Sequence, residues 1–414
     1  MNRESLVNKI KDDSIWFCPR LFDHIYTNPD GEYKVCCIGT GSGINTSTTT
    51  PTEWLNSDLL TAARIEMLDE TDASTPVLNS QCRRCMEQEA NYGESDRQHH
   101  NMKLLEVIDF DRDFSCIDQV LSFDPAQEYT ITERCLVLQA RVFGNQCNLD
   151  CYMCQPGASS TRQLMFKKLD SRKYIKTFDI DYPDNIKSSK SNTIDELVKL
   201  APYIRTFLLQ GGEPFVMKKQ FDFLDRLVES GHSKNIVLEM NSNLTVLGTT
   251  KYNILDYVDK FKQLNISASL DGFGKYNDYI RRRSDWDTIV NNLNTLRSYR
   301  NVNMGVFSTV SLLSVLRYNE LQEFCDRENL EYFCFVVDDP DELHVKHLPK
   351  KLKKKLRKKY CDYPVIVNAL AMKGDNKKFI AAINYIKQSD EYYKTDIFEL
   401  YPELESYYNV NRNE

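Results

Sequence analysis

The chain has 414 residues, of which 41% are hydrophobic and 27% are charged, and its net charge is −7. This length is sufficient for two or three domains, each with a core of its own. No apolar run approaches the roughly 20 residues of a membrane span, and the amino terminus lacks the apolar stretch of a secretory signal, so we expect a cytoplasmic protein without a membrane partner. The acidic balance argues against nucleic-acid binding over the whole surface but is compatible with a local basic site.

The first predicted element is a small cysteine-rich domain that covers residues 1–90. Pro29-Asp30-Gly31 is a hairpin signal, and a Cys82-x2-Cys85 pair lies near the end of the segment. The whole chain has 13 cysteines. Without an export signal, that number favours metal or redox roles over disulfides. The charged residues 91–133 are predicted to form a partly helical linker.

Strand-like and helix-like patterns alternate over residues 134–340. The predicted strands are 135–143, 204–210, 235–240, 264–270, 302–310 and 330–337. The predicted helices are 159–169, 193–200, 221–230, 251–259, 287–300 and 315–329. Thr193 and Glu196 have the spacing of a capping box at the start of the second helix, and the polar residues 170–192 are predicted to be an insertion.

This alternation predicts an α/β fold, a partial (β/α)6 TIM-like barrel in which crossover helices connect parallel strands. Residues 341–414 are predicted to form a helical C-terminal extension that contains the basic run 350–359. Such a run is usually a solvated helix face. A phosphate-bearing or acidic partner is the alternative.

Three cysteines follow the first barrel strand in the run Cys147-Asn-Leu-Asp-Cys151-Tyr-Met-Cys154. A loop this tight can place three thiolates on one face of an iron–sulfur cube, and it leaves the fourth iron without a protein ligand. Structural metal sites usually close all four positions. Three ligands therefore predict a site at which a substrate or cofactor binds the metal.

Other turns with functional residue types also fall at the ends of predicted strands. They are Gly211-Gly212-Glu213-Pro214, Asn241 to Asn243, and Ser269 to Gly272. In barrels of this kind the chemistry lies at the carboxyl ends of the strands, so we expect these turns to share one site with the cysteine loop. Glycines permit close backbone approach to a cofactor, and Glu213 can accept a charge-assisted hydrogen bond from an ammonium group.

The cysteine run, followed about sixty residues later by Gly211-Gly212-Glu213-Pro214, resembles the radical S-adenosylmethionine superfamily over residues 134–340. The resemblance implies a [4Fe–4S] cluster on Cys147, Cys151 and Cys154, with S-adenosylmethionine on the open iron. One electron would cleave the cofactor to methionine and a 5′-deoxyadenosyl radical, which abstracts hydrogen from the substrate. It also implies an electron donor such as flavodoxin or ferredoxin.

Further cofactor contacts are carried over from the same resemblance. Ser269 matches a polar contact to the carboxylate or ribose of the cofactor, Arg281 matches a basic partner of that carboxylate, and Asn241 and Asn243 match the strand end that borders the ribose. The family often has an aromatic residue against adenine where this chain has Met153. Tyr152 precedes it, and the sequence does not decide between the two.

The N-terminal cysteines resemble the auxiliary-cluster module, of twitch or SPASM type, that many radical enzymes carry. Cys18, Cys36, Cys82 and Cys85 would then hold a second [4Fe–4S] cluster, with Cys37 in competition with Cys36. The family usually carries this module after the barrel, whereas here it precedes the barrel. A structural zinc ribbon uses the same Cys-x2-Cys geometry and is the alternative.

The sequence therefore predicts a radical S-adenosylmethionine enzyme, an oxidoreductase of the maturase kind. The substrate implied by the resemblance is a peptide or protein side chain. A second hypothesis is modification of a nucleotide or RNA held by the basic run 350–359. A third, of a different class, is a non-catalytic iron–sulfur or zinc protein. No residue is assigned as a catalytic acid, base or radical relay.

Overall fold

The computed structural model describes residues 2–69, 75–110, 116–176 and 191–411. Its strands, in chain order, are β1 (His24–Thr27), β2 (Tyr33–Lys34), β3 (Leu136–Ala140), β4 (Asp150–Cys151), β5 (Ile204–Leu209), β6 (Val237–Ser242), β7 (Gln263–Ser269), β8 (Arg281–Arg282), β9 (Val302–Val310) and β10 (Glu331–Val336).

Eight of these strands form one sheet in the spatial order β10-β9-β7-β6-β5-β3-β1-β2. Every neighbouring pair is parallel except the β1–β2 hairpin. The short strands β4 and β8 form a separate antiparallel pair. The six predicted barrel strands are all present in this sheet, which confirms an α/β fold with a mostly parallel sheet consistent with a partial TIM-like barrel.

The helices lie between and around the strands. They are α1 (Arg3–Lys11), α2 (Arg20–Asp23), α3 (Pro51–Leu55), α4 (Asp58–Leu68), α5 (Pro76–Gln81), α6 (Arg83–Tyr92), α7 (Asp96–Phe110), α8 (Ile117–Leu121), α9 (Ser160–Lys168), α10 (Ser191–Lys199), α11 (Lys218–Glu229), α12 (Lys275–Ile280), α13 (Trp286–Arg297), α14 (Tyr318–Glu328), α15 (Lys350–Lys359), α16 (Pro364–Ala371), α17 (Asn376–Tyr393), α18 (Ile397–Leu400) and α19 (Glu403–Asn411). Among the described residues, no helix is long and apolar enough to cross a membrane.

Two helix predictions were wrong in detail. Ser191 and Asn192 already belong to α10, so Thr193 lies inside the helix and forms no capping box. Among the described residues, its buried hydroxyl has no hydrogen-bond partner. The helix predicted over 251–259 is a 3₁₀ helix, Ile254–Lys260, which starts after an Asn253 side chain that caps Leu255. Most of the predicted insertion 170–192 lies outside the described residues.

The N-terminal segment is joined to the barrel through its sheet and its core. The predicted hairpin at Pro29-Asp30-Gly31 is confirmed, because β1 and β2 pair there and Gly31 has a φ of +88°. β1 also pairs with β3 in parallel. Phe17, Phe22 and Trp54 belong to the same hydrophobic cluster as the barrel strands, so the segment and the barrel share one core.

Among the described residues after 341, the helices α15 to α19 build a second core. α15 contributes Leu352 and Leu356 to it, and α17 contributes Tyr385. Tyr152 and Met153, from the cysteine loop, belong to the same cluster. The C-terminal helices therefore pack directly behind the loop that carries Cys151 and Cys154.

Candidate iron–sulfur and cofactor site

The cysteine loop is fixed in position by the β4–β8 pair, in which Cys151 lies opposite Arg281. The N–H of Tyr152 donates to the Ile280 carbonyl at 3.1 Å, and the N–H of Cys154 donates to the Cys151 carbonyl at 3.2 Å. Backbone hydrogen bonds therefore set the loop conformation and leave the cysteine side chains available as ligands.

The same loop is anchored to α9 on its other side. The Thr161 hydroxyl donates to the Cys147 carbonyl at 2.6 Å, and the Cys147 N–H donates to the Ser160 hydroxyl at 3.2 Å. Between Cys147 and Cys151, Asp150 forms an ion pair with Arg162 at 2.9 Å, with side-chain exposures of only 1% and 2%. Loss of one partner from such a pair leaves the other charge buried without compensation.

Replacing Arg162 with leucine is expected to lower the free energy of unfolding by about 3–5 kcal/mol, because Asp150 would keep an uncompensated buried charge. The matched control is Arg83→Leu, which breaks the exposed Arg83–Glu87 pair on α6 and should cost less than about 1 kcal/mol. Urea denaturation of both variants measures the difference. Equal losses would mean that the Asp150–Arg162 pair does not stabilise the loop.

The three thiols of the loop share a desolvated environment. Burial raises the pKa of all three, that of Cys154 to about 12. The charge of Cys147 adds to the rise at Cys151 and Cys154, and that of Cys154 adds to the rise at Cys151. Binding of a metal as thiolates must therefore release protons. Within the described parts of the chain, no three His, Cys, Asp or Glu side chains are close enough to hold one metal ion. The ligands of a four-iron cube stand farther apart than those of one ion.

The Gly-Gly-Glu-Pro turn follows β5 and lies against the cysteine loop. The Glu213 N–H donates to the Gln146 carbonyl at 2.8 Å. A Cβ on Gly212 would overlap the carbonyl oxygens of Gln146 and Asn145. Glycine is needed at 212 because two backbone segments touch there, whereas the sequence suggested only close approach to a cofactor. Pro214 then begins a buried 3₁₀ turn, Pro214–Val216.

Glu213 is buried, with 1% of its surface exposed. Its carboxylate accepts hydrogen bonds from the Ser242 hydroxyl at 2.8 Å, the Asn243 N–H at 2.8 Å and the Phe215 N–H at 3.2 Å. Burial raises the pKa of Glu213 to about 7, against the opposing effect of these donors. A carboxylate has about four lone-pair sites, so one acceptor position is left for a further donor.

Asn243 connects the end of β6 to the cysteine loop. Its Nδ2 donates to Asn148 Oδ1 at 2.9 Å, and its Oδ1 accepts from the Thr245 N–H at 2.9 Å and hydroxyl at 2.6 Å. The side chain predicted to border the ribose is therefore used to hold the loop. Asn241 is exposed instead to the barrel cavity, which has a volume of about 1700 Å³.

Arg281 lies between a buried carboxylate and a cysteine sulfur. Its Nε is 2.7 Å from Asp271 Oδ2, and its Nη1 is 3.9 Å from Cys151 Sγ. Asp271 also accepts the Thr309 N–H at 2.7 Å. Sequence reasoning missed Asp271, although it stands two residues after Ser269 in a strand-end turn that was singled out. Ser269 itself is half-buried at the last position of β7.

The two candidates for adenine contact, Tyr152 and Met153, differ in their other contacts and in their exposure. The Tyr152 hydroxyl accepts from Arg282 Nη2 at 2.6 Å and Nε at 2.9 Å, and Arg282 pairs with Asp390 of α17 at 2.5 Å. Tyr152 has 1% of its surface exposed and Met153 has 8%. Met153 is therefore the residue of the pair with accessible surface.

The N-terminal cysteines Cys18, Cys36, Cys82 and Cys85 lie close enough for their charges to affect one another. Burial raises the pKa of Cys18, and the charges of Cys85, Cys36 and Cys82 raise it further. Backbone N–H groups two residues downstream lower the pKa of two of the thiols, that of Arg20 at Cys18 and that of Ile38 at Cys36. The Gly39 N–H donates to the Cys36 carbonyl at 3.1 Å. Cys37 is exposed. Cys36 is thus close to Cys18 and Cys82.

Residues 142–327 match the family model described as the radical SAM superfamily. The matched segment contains the cysteine loop, the Gly-Gly-Glu-Pro turn and Arg281, which the structure brings together. The match covers less than half of the chain and lies within the segment that carried the resemblance in the sequence. Among curated proteins, none matches the chain.

Solved structures with similarity to this chain include native anSMEcpe with bound AdoMet, at 16% identity and a TM-score of 0.38, over 54% of this chain and 58% of that chain. The same protein with a bound Kp18Cys peptide has 16% identity and a TM-score of 0.38, over 55% of this chain and 59% of that chain. SuiB of Streptococcus suis bound to S-adenosylmethionine has 14% identity and a TM-score of 0.32, over 53% of this chain and 42% of that chain. The chain thus spans about 58% of the length of anSMEcpe. Such low TM-scores define no residue correspondence.

Proposed function

We propose that the chain cleaves S-adenosylmethionine reductively at a [4Fe–4S] cluster held by Cys147, Cys151 and Cys154, and uses the resulting radical to modify a peptide or protein side chain. The observation that carries this proposal is the contact of the Gly-Gly-Glu-Pro turn with the cysteine loop, which brings the buried Glu213 next to the loop that carries the three thiols. The donor set fits the group, because thiolates are the soft ligands that iron–sulfur clusters use.

The bound cluster would supply the electron that breaks the sulfonium bond of the cofactor. Around it, the residues of this chain have separate tasks. The free acceptor position of Glu213 binds the cofactor ammonium, and Ser269 offers a hydroxyl at the end of β7. Arg281, held by Asp271, places a positive charge beside Cys151. Hydrogen bonds and charge near the sulfurs tune a cluster potential.

The proposed role of Glu213 predicts a pH dependence of cofactor binding. The pKa of Glu213 is raised to about 7 by burial, so the carboxylate that accepts the ammonium is present above pH 7 and is lost as the pH falls. The affinity for S-adenosylmethionine should therefore fall by roughly tenfold per pH unit below 7. Calorimetric titration of the reconstituted protein from pH 5.5 to 8.5 measures it, with Glu213→Gln expected to show a weaker and flat profile. A wild-type profile as flat as that of the variant would contradict the assignment.

The N-terminal site is proposed to hold a second [4Fe–4S] cluster on Cys18, Cys36, Cys82 and Cys85. Four thiolates close the site, so it would relay electrons or fix the module rather than bind the cofactor. The sequence left a structural zinc ion as the alternative, but among the described residues no three His, Cys, Asp or Glu side chains are close enough to hold one ion. Metal analysis of the protein purified without oxygen distinguishes them, because the cluster requires acid-labile sulfide in proportion to iron and the zinc ion does not.

The substrate proposal comes from the resemblance of this N-terminal segment to modules of peptide-modifying radical enzymes. The barrel cavity of about 1700 Å³ gives a peptide segment room to enter, and a flavodoxin or ferredoxin is the proposed electron donor. Candidate peptides deuterated at one side-chain position test the substrate. Transfer of deuterium into 5′-deoxyadenosine identifies the correct one, and a panel without transfer argues against a peptide.

A second candidate function, RNA modification, is favoured by one feature, the basic helix α15. Seven of its cations are exposed, namely Lys350, Lys351, Lys354, Lys355, Arg357, Lys358 and Lys359. The helix has no acidic residue, so like charges face each other at i,i+4 spacing and lysines oppose the helix dipole at its first turn. Both effects cost stability, which a bound polyanion would offset.

If α15 binds RNA, the double variant Lys354→Gln/Lys355→Gln should reduce the slope of log Kobs against log salt by about 1.4, roughly 0.7 for each phosphate that is no longer neutralised. The control is Lys9→Gln/Lys11→Gln in α1, which should leave the slope unchanged. Filter binding over a salt series gives both slopes. Equal slopes for wild-type protein and the α15 variant would remove the reason for the RNA hypothesis.

A further inference from the structure

A buried hydrogen-bond chain runs from the N-terminal cysteine loop to the barrel cavity. His24 Nδ1 lies 3.3 Å from the Val35 carbonyl, and His24 Nε2 lies 3.1 Å from the Gln139 side-chain amide. The Gln139 and Gln210 amides meet at 2.6 Å. Burial lowers the pKa of His24 well below its usual range, so the neutral ring has one N–H, which Nδ1 donates to the Val35 carbonyl. The Gln139 amide N–H then donates to His24 Nε2, and the Gln210 amide N–H donates to the Gln139 amide oxygen. Val35 immediately precedes Cys36, and Gln210 immediately precedes Gly211. The chain thus begins beside one cysteine site and ends beside the turn that contacts the other.

The strand order explains how these residues meet. His24 is the first residue of β1, and Gln139 lies in β3, its parallel neighbour in the sheet. Each of the two side chains has 3% of its surface exposed. Gln210 is half-buried and borders the barrel cavity. Since β1 carries the histidine to the edge of the barrel, a residue of the N-terminal segment can bond an inward-facing residue of the barrel.

Three polar side chains in a row are costly in an interior unless each link is made, because an unpaired buried polar group loses its hydration without compensation. Removal of one member therefore leaves its neighbours unpaired and lets them reorient. A disturbance at the Gln210 end is passed to His24, and from His24 to the Val35 carbonyl, which belongs to the turn that positions Cys36.

We propose that His24, Gln139 and Gln210 are positioning residues that couple the N-terminal cysteine site to the barrel site. A substrate group that contacts the Gln210 amide would act on the Cys36 turn through three hydrogen bonds. The functional meaning of this coupling rests on the proposed metal-binding role of Cys36. The coupling itself is a property of the polypeptide and can be measured without metal.

The test is the rate at which iodoacetamide alkylates Cys36 in the metal-free protein, followed by mass spectrometry of peptides. Gln139→Leu should raise that rate about fivefold to tenfold, because loss of a buried hydrogen bond increases the open population of the turn. The control is Gln263→Leu, a glutamine of β7 that borders the same cavity but bonds Asn265. The alkylation rate of Cys36 in Gln263→Leu should equal the wild-type rate. The exposed Cys361 serves as an internal standard in each digest.

A double-mutant cycle separates coupling from general loosening. If the residues act in series, His24→Leu and Gln139→Leu together should raise the Cys36 rate no more than His24→Leu alone. His24→Asn, whose amide can still donate to the Val35 carbonyl but does not reach Gln139, should give a rate no higher than that of Gln139→Leu. Folding of every variant is checked by circular dichroism.

Two results would overturn the proposal. One is a Cys36 rate in folded Gln139→Leu within twofold of the wild-type rate. The other is an equal rise in Gln263→Leu. In the reconstituted protein, Gln210→Leu should in addition change the electron paramagnetic resonance signal of the N-terminal cluster, and an unchanged signal counts against the coupling. If no metal binds at the N-terminal cysteines, the proposed auxiliary site is wrong, whereas the alkylation result still decides the coupling.

Discussion

Replacing Cys151 with alanine should abolish S-adenosylmethionine cleavage and leave the N-terminal site filled. Two thiols cannot hold a cube that normally takes three or four cysteine ligands, so iron should fall from about eight to about four atoms per chain. Formation of 5′-deoxyadenosine under reducing conditions should drop to the level of a reaction without enzyme. Iron and sulfide analysis, with chromatography of the nucleoside products, measures both quantities in the same sample.

Cys361→Ala is the matched control for this substitution, because Cys361 is exposed and lies far along the sequence from both cysteine groups. It should keep the full iron content and full cleavage. Retention of cleavage by Cys151→Ala would show that the 147–154 loop does not hold the reactive cluster. Loss of all iron would show instead that the two sites depend on each other for assembly.

Replacing Gly212 with alanine should have the next largest effect. The new methyl group would overlap the carbonyl oxygens of Gln146 and Asn145, and these backbone atoms cannot rotate away as a side chain can. Overpacking of this kind costs about 1–3 kcal/mol. Because the displaced atoms lead directly into Cys147, we expect cofactor affinity and cleavage rate to fall by roughly tenfold to a hundredfold, with global stability affected less.

Gly305→Ala serves as its control. Gly305 is also a barrel glycine, in β9, but a Cβ there would come no closer than 3.3 Å to its nearest neighbour, the Glu331 carbonyl. The strand should accommodate it with little change in cleavage. If Gly212→Ala reconstitutes with full iron and binds S-adenosylmethionine as the wild type does, then the contact between the two turns does not position the site.

The sequence allowed the strands and the cysteine loop to be predicted because both are encoded locally. Alternating apolar segments mark the strands, and the ligand spacing of Cys147, Cys151 and Cys154 lies within one turn. The errors occur where distant contacts decide the outcome. Thr193 has the spacing of a cap, yet Ser191 and Asn192 are already helical. The role of Asn243 depends on Asn148, which is far away in the chain.

The pairing of β1 with β3 could not be predicted from local patterns either. β1 has only four residues, all buried, and their sequence does not indicate which strand they pair with. The pairing explains how a cysteine module can precede the barrel in this chain. β3 is the first barrel strand, so an N-terminal segment reaches that edge of the sheet directly, and the His24–Gln139 contact follows from this placement.

The central claim is that one cysteine site is open and cleaves the cofactor while the other is closed. Anaerobic reconstitution with iron and sulfide, followed by reduction in the presence of S-adenosylmethionine, tests it most directly. We expect about two cubes per chain and steady formation of 5′-deoxyadenosine and methionine. A protein that takes up its iron and sulfide but forms no 5′-deoxyadenosine under reducing conditions would contradict the claim.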